Sequence, residues 1–125
     1  MKPSIAMSKN DQSTQFRLEL KHAIAIGPGK ADVLQWVEQT GSIAQAGRHL
    51  GMSYQKVWSQ VRAMNQHCIE PLVETQRGGT AGGGTILTPT GKQVLNVYRA
   101  IERDAQRAVA KRLPELVHLI RPDAE

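Results

Sequence analysis

Apolar positions along the chain change their period several times, and each change marks a boundary. From Phe16 to Ile26 the order is FRLELKHAIAI, where Phe16, Leu18 and Leu20 alternate with Arg17, Glu19 and Lys21. A two-residue repeat predicts a half-buried strand. Gly27-Pro28-Gly29 ends it. From Lys30 the period becomes helical: Val33, Leu34 and Val37 share one face, Trp36 lies beside them, and Gly41 supplies a stop. Ser42 is placed to cap a second helix, with Ile43, Ala46 and Leu50 on its buried side and Gly51 at its end. Ser53 caps a third, in which Val57, Val61, Met64 and Cys68 follow at steps of four, three and four.

Pro71 closes this helix, and two β-prone segments follow, Leu72–Thr75 and Thr85–Thr88. Pro89 and Thr90 then open a long helix whose apolar positions Val94, Val97, Tyr98, Ile101, Ala105 and Ala108 fall at heptad-like steps. Pro114 is expected to break or kink it. The predicted order is strand, helix, helix, helix, strand, strand, long helix, that of a winged helix-turn-helix. The fold class expected is mainly α with a small β component. Residues 1–15 read as a loose tail, 16–113 as one winged domain including a dimerisation helix over 89–113, and 114–125 as a second tail. The seam also fits the core face of a single domain or a signal-transmission helix, but a helix that long exceeds what so small a core covers, which favours its six apolar positions as the contact between two copies.

Composition narrows the class. The 125 residues are 40% hydrophobic and 22% charged, the balance of a folded soluble domain. No apolar run approaches the roughly 18–20 residues needed to span a bilayer, so no membrane is expected as a partner. One cysteine, Cys68, excludes an internal disulfide and a multi-cysteine zinc cluster, and fits a reducing cytoplasm. Sixteen Lys and Arg against eleven Asp and Glu give a formal charge of +5, which favours a polyanionic partner.

Where the charge sits says more than its sum. Glu38 and Glu70 bracket 31 residues without an acid, and Arg48, Lys56 and Arg62 lie between them. With the apolar positions of the third helix turned inward, Ser53, Gln55, Lys56, Ser59, Gln60, Arg62 and Ala63 turn outward. Short polar, amide and basic side chains reach phosphates and exchange hydrogen bonds with base edges in a major groove. A helix facing only water usually mixes Glu with Lys, and this one does not. Tyr54 is balanced between a phosphate contact and a brace for the turn. Arg48, at the end of the second helix, fits a phosphate or the helix dipole. Trp58 reads as core packing rather than a base-stacking ring.

The stretch RGGTAGGGTILTPT, from Arg77 to Thr90, holds five glycines within seven residues. A phosphate cradle would open directly into a helix carrying Lys and Ser or Thr, whereas here a β-prone segment follows. A linker would separate two domains, whereas both flanks belong to one. The reading left is the tip of a hairpin wing, with Arg77 and Thr80 as its expected contacts to sugar–phosphate or minor groove.

Two segments, GSIAQAGRHLGMSYQKVWSQVRAMNQ and PLVETQRGGTAGGGTILTPTGKQVLNVY, resemble the DNA-binding domain of the ModE family of molybdate-responsive transcription regulators. The resemblance runs from about Phe16 to Ile101. Its markers are the GSI helix start, the GMSYxxxW turn, the MN pair and GGGTxLTxxG. It implies a dimeric winged helix-turn-helix related to the LysR type, with the third helix in the major groove of a palindromic site. The long helix would pair two subunits. Ser53, Tyr54, Lys56, Trp58 and the wing carry the match. Well-known members continue into a molybdate-binding region, whereas this sequence ends at Glu125, so molybdate is not an expected ligand of this chain.

Nothing else in the sequence builds chemistry. His67 and Cys68 are adjacent and point apart on a helix, without a second pair to complete a metal site. His22, His49 and His118 are scattered, and no nucleophile, base and orienting group can be assembled. GPGK at 27–30 lacks the spacing of a phosphate loop. The expectation is a non-enzymatic, cofactor-free, sequence-specific DNA-binding homodimer on double-stranded DNA. The alternative is a dimeric adaptor of the same fold that modulates a full-length regulator without binding DNA.

Overall fold

The computed structural model describes residues 26–76 and 84–122. In order these form α1 (Pro28–Thr40), α2 (Ile43–Leu50), α3 (Tyr54–His67), β1 (Val73–Gln76), β2 (Gly84–Leu87) and α4 (Pro89–Val117). The predicted strand over 16–26 and the N-terminal tail lie outside the described residues apart from Ile26, which is 4% exposed and joins the core.

Local chemistry fixes the helix ends. Gly41 stops α1 in the left-handed region at φ +69° and donates its N–H to the Val37 carbonyl at 2.8 Å. Gly51 stops α2 in the same way at φ +67°; a side chain at either position would meet backbone strain. Hydroxyl caps start the next elements: the Ser42 Oγ accepts from the Gln45 N–H at 3.1 Å, and the Ser53 Oγ from the Lys56 N–H at 3.0 Å.

The core is where the predicted faces meet. Leu34 and Val37 of α1 and Val57, Val61 and Met64 of α3 are all 0% exposed. Each such side chain contributes about 2 kcal/mol of burial. Ile43 and Ala46 close it from α2, Leu72 and Val73 from the start of the hairpin, and Leu95 and Tyr98 from α4.

β1 and β2 pair antiparallel, with Val73 opposite Leu87 and Gln76 opposite Gly84. Val73, Thr85 and Leu87 face inward, whereas Glu74 and Ile86 face out. Two contacts attach this hairpin to the helices. The Thr85 N–H donates to the Gly41 carbonyl at 3.0 Å, tying β2 to the α1–α2 turn. The Asn65 Oδ1 accepts from the Leu72 and Val73 N–H groups at 2.8 and 3.2 Å, and its Nδ2 donates to the Val73 carbonyl at 3.1 Å.

Besides the core packing of Leu95 and Tyr98, polar contacts hold α4 at two places. At its start the Thr88 hydroxyl donates to the Pro71 carbonyl at 2.7 Å and accepts from the Gly91 N–H at 2.9 Å. Further along, the Arg99 guanidinium reaches Asp32 at 2.7 Å and Gln35 at 2.8 and 3.2 Å on α1, and Glu102 at 2.9 Å on its own helix. Partial burial works against the Arg99 charge, yet hydrogen bonds to Asp32 and Glu102 outweigh it and hold the pKa above its ordinary value.

Two expectations for α4 are corrected. Of the break or kink expected at Pro114, the break does not occur: the helix runs through it to Val117, and the His118 N–H bonds the Pro114 carbonyl at 3.1 Å. Pro114 and Ala110 are both exposed, and at such a site loss of the proline's hydrogen bond is more easily tolerated than in a buried helix. The buried face is also rotated from the expected seam: Gly91, Leu95 and Tyr98 face inward. Tyr98, expected between two copies, is 3% exposed and packs within its own chain, whereas Val97 is 50% and Ile101 39% exposed. Val94 and Ala105 are half-buried and Ala108 is exposed.

Candidate nucleic-acid interface

α3 presents two faces because its inward residues recur at steps of four and three. With Val57, Val61 and Met64 buried, Gln55, Ser59, Arg62 and Gln66 project from the opposite side, and all four are exposed. Lys56 is exposed on the flank, and Tyr54 is 56% exposed beside the helix start. Gln66 was missed by the sequence reading, although its spacing from Ser59 and Arg62 is the signal that finds it.

The approach of α2 to α3 is fixed by shape. Gly47 lies against the turn so closely that a Cβ there would fall 2.6 Å from the Met52 carbonyl oxygen. Outside this contact, the Trp36 and His49 rings stack at 3.9 Å with planes 6° apart, bracing α1 against the end of α2. Arg48 is exposed in the last turn of α2.

Charge on this surface is one-sided. Neither α2 nor α3 has an acid in its first turn, so no carboxylate offsets the partial positive charge at either N-terminus. Both helices together hold Arg48, Lys56 and Arg62 and no Asp or Glu. A face of this kind accepts anionic oxygens at its margins and presents amides and hydroxyls between them.

The sequence-predicted residues divide as follows. Arg48, Tyr54, Gln55, Lys56, Ser59 and Arg62 are on the surface. Ser53 is exposed, with its hydroxyl engaged as the α3 cap. Gln60 departs from expectation: it is half-buried, and its Oε1 is buried without a hydrogen-bond partner. It adjoins Val61 and stands three residues from Val57, so it flanks the buried stripe rather than opposing it. Trp58 is half-buried against the core, as its position beside the apolar stripe implied. Arg77 and Thr80 of the wing tip lie outside the described residues.

Among the described residues, no three His, Cys, Asp or Glu side chains stand together as metal ligands, and no helix is long and apolar enough to cross a membrane. Burial pushes the Cys68 thiol above its ordinary pKa, which leaves it in its less reactive form.

Comparison with known proteins accords with this geometry. Residues 30–92 match the bacterial regulatory helix-turn-helix proteins of the lysR family. The chain is 36% identical over 91 residues to the transcriptional regulator ModE of Haemophilus influenzae, covering 73% of this chain and 36% of that protein. It is 42% identical over 77 residues to the molybdenum-pterin-binding protein MopB of Rhodobacter capsulatus, covering 62% of this chain and 28% of that one. Identity to the DNA-binding transcriptional dual regulator ModE of Escherichia coli is 32% over 91 residues, 73% of this chain and 35% of that one. The chain thus spans about a third of the length of these curated relatives. Full-length CbnR, solved in complex with its target DNA, shares the fold with a TM-score of 0.52 and 23% identity, over 66% of this chain and 27% of that chain. The matched span holds nearly all of α1, all of α2 and α3, both strands and the start of α4, and on it the chain belongs to the lysR family of bacterial regulatory helix-turn-helix proteins, with ModE transcriptional regulators among its relatives.

Proposed function

We propose that the chain is a sequence-specific, DNA-binding transcriptional regulator that acts as a homodimer on a palindromic operator. The observation that carries this reading is the acid-free surface of α2 and α3, with Gln55, Ser59 and Arg62 exposed at helical spacing and Lys56 at the flank. α3 would enter the major groove, with α2 lying across the backbone. Lys56, Arg62 and Arg48 would pair with phosphates, while Gln55, Ser59 and Gln66 would face base edges. The wing would bring Arg77 and Thr80 to the neighbouring minor groove or sugar–phosphate. The bacterial cytoplasm is the compartment this activity requires.

Support for pairing comes from α4. Val94, Val97 and Ile101 line an apolar groove together with Cys68, Ile69 and Ile26. Ile69 on its rim is 93% exposed. Covering such a surface with a second copy removes apolar area from water on both partners.

The test is titration of duplexes drawn from a random pool by the purified protein. Enrichment of inverted repeats with half-sites about one helical turn apart, or a multiple of it, is expected. Lys56→Ala and Arg62→Ala should each weaken binding and reduce the slope of log K against log salt by about 0.9 per lost phosphate contact. An unchanged slope in both variants overturns the phosphate assignment. Failure of the parent protein to retain any duplex at low salt turns the reading to the dimeric adaptor.

A further inference from the structure

We infer that Arg99 is a positioning residue that sets the distance between the two α3 helices of the dimer, and through it the operator spacing this protein prefers. The inference rests on the homodimer reading above. It starts from the polar contacts that attach α4 to the rest of the chain on either side of its buried Leu95 and Tyr98. The first is at the helix start, where Thr88 bonds the Pro71 carbonyl and Gly91 lies against Leu72. The second is the Arg99 fork, eight residues beyond Gly91 and about 12 Å along the axis. Its Nη2 meets both the Asp32 Oδ1 at 2.7 Å and the Gln35 Oε1 at 2.8 Å. These are the last described hydrogen bonds from α4 to another element; the later pairs, Arg107 with Asp104 and Arg112 with Glu115, stay within the helix.

Leu95 and Tyr98 hold α4 to the core by apolar packing, which is non-directional, whereas the fork adds contacts of fixed direction. From Arg99 to Val117, α4 continues for about 27 Å. With Val94, Val97 and Ile101 paired to a second copy, a tilt of about 10° at the fork turns the rest of the chain about that stripe and moves a point about 27 Å away by about 5 Å, more than the rise of one base pair, about 3.4 Å. Because α1 packs directly on the α2–α3 unit, an error in the α4 direction becomes an error in where each reading helix arrives. A guanidinium suits this role. Its donors are planar and fixed in direction, so the fork constrains an angle as well as a distance. Glu102 at 2.9 Å holds the same side chain from the helix's own surface, which keeps the fork aimed at α1. The pair with Asp32 is only partly covered, at 25% and 47% side-chain exposure, so its energetic weight is small and its geometric role stands apart from folding.

The experiment uses the full chain and an operator selected as above. Binding is measured on a series of duplexes whose two half-sites are moved apart or together by one and two base pairs, and on a single half-site. The parent protein should lose about tenfold or more in affinity for each displaced spacing, comparable with a mismatched base pair. Arg99→Gln should bind the single half-site like the parent but flatten the spacing profile, with the penalty for one displaced base pair falling to about threefold or less. Arg99→Lys, which keeps the charge but not the fork, should give an intermediate profile. An Arg99→Gln profile identical to the parent's in optimum and sharpness overturns the inference. Equal weakening at every spacing and on the half-site also overturns it, because a merely structural residue would behave so. A parent protein with no spacing preference fails the homodimer reading itself, and the inference with it.

Discussion

Gly91 and Gly29 both lie in the first turn of a helix, yet an added methyl group would meet opposite surroundings. A Cβ on Gly91 would fall 2.1 Å from the Leu72 carbonyl oxygen and 2.9 Å from its carbon, whereas a Cβ on Gly29 meets nothing within 4 Å. Replacing a helical glycine by alanine gains up to about 1 kcal/mol from backbone entropy alone. At Gly91 that gain is set against forcing apart two backbone segments, which costs about 3 kcal/mol. Gly91→Ala should therefore destabilise by about 2 kcal/mol in urea unfolding, while Gly29→Ala should be neutral or slightly stabilising. Matching effects at both sites would show that α4 does not press against Leu72. Neither outcome was legible from the sequence, since a glycine chosen for closeness and one tolerated in open space are the same letter. What separates them is a carbonyl nineteen positions away in one case and empty solvent in the other.

The hairpin and the end of α3 form a unit through one side chain. Asn65 satisfies the N–H of Leu72 and both backbone groups of Val73, so a single amide turns the α3 end into β1. Asn65→Ala leaves three backbone groups without that partner, costing about 2 kcal/mol locally. Hydrogen exchange at Leu72 and Val73 should accelerate about tenfold or more, with the α1 amides little changed; unaltered exchange at both would remove Asn65 from this role. In the sequence this residue was visible only as half of an MN pair, a mark of resemblance. The bonds it makes span seven and eight residues across a chain reversal, which no periodic pattern encodes. Elements with strong local signals were legible: Ser42, Ser53 and the glycines at 41 and 51 set helix ends within their own few residues. The α4 face was not. Two adjacent apolar stripes share Tyr98, and the one that faces the core uses Gly91, which carries no hydrophobic signal, while the more apolar Val97 and Ile101 stay outside.

For the molecule as a whole, α4 leaves Val97 and Ile101 exposed for a partner to cover. If a second copy does, Val97→Glu with Ile101→Glu places four carboxylates across one two-fold axis. Light scattering should then give the parent twice the chain mass at micromolar concentration and the double variant a single chain mass, with helical circular dichroism retained. A parent of single mass would remove pairing through this stripe. The candidate reading surface was legible at this scale because a missing charge sign is a property of sequence order, whereas the half-buried placement of Gln60 needed the packed helix. α3 itself has a wider consequence. Its 14 residues interleave two messages: positions 57, 61 and 64 are fully enclosed, and positions 55, 59, 62 and 66 stand free of that enclosure. Residues of the second set can be exchanged without opening a cavity in the first. If that second set reads DNA as proposed, descendants of such a chain could acquire new addresses on a genome by rewriting four letters, while the instructions for folding pass unchanged between them.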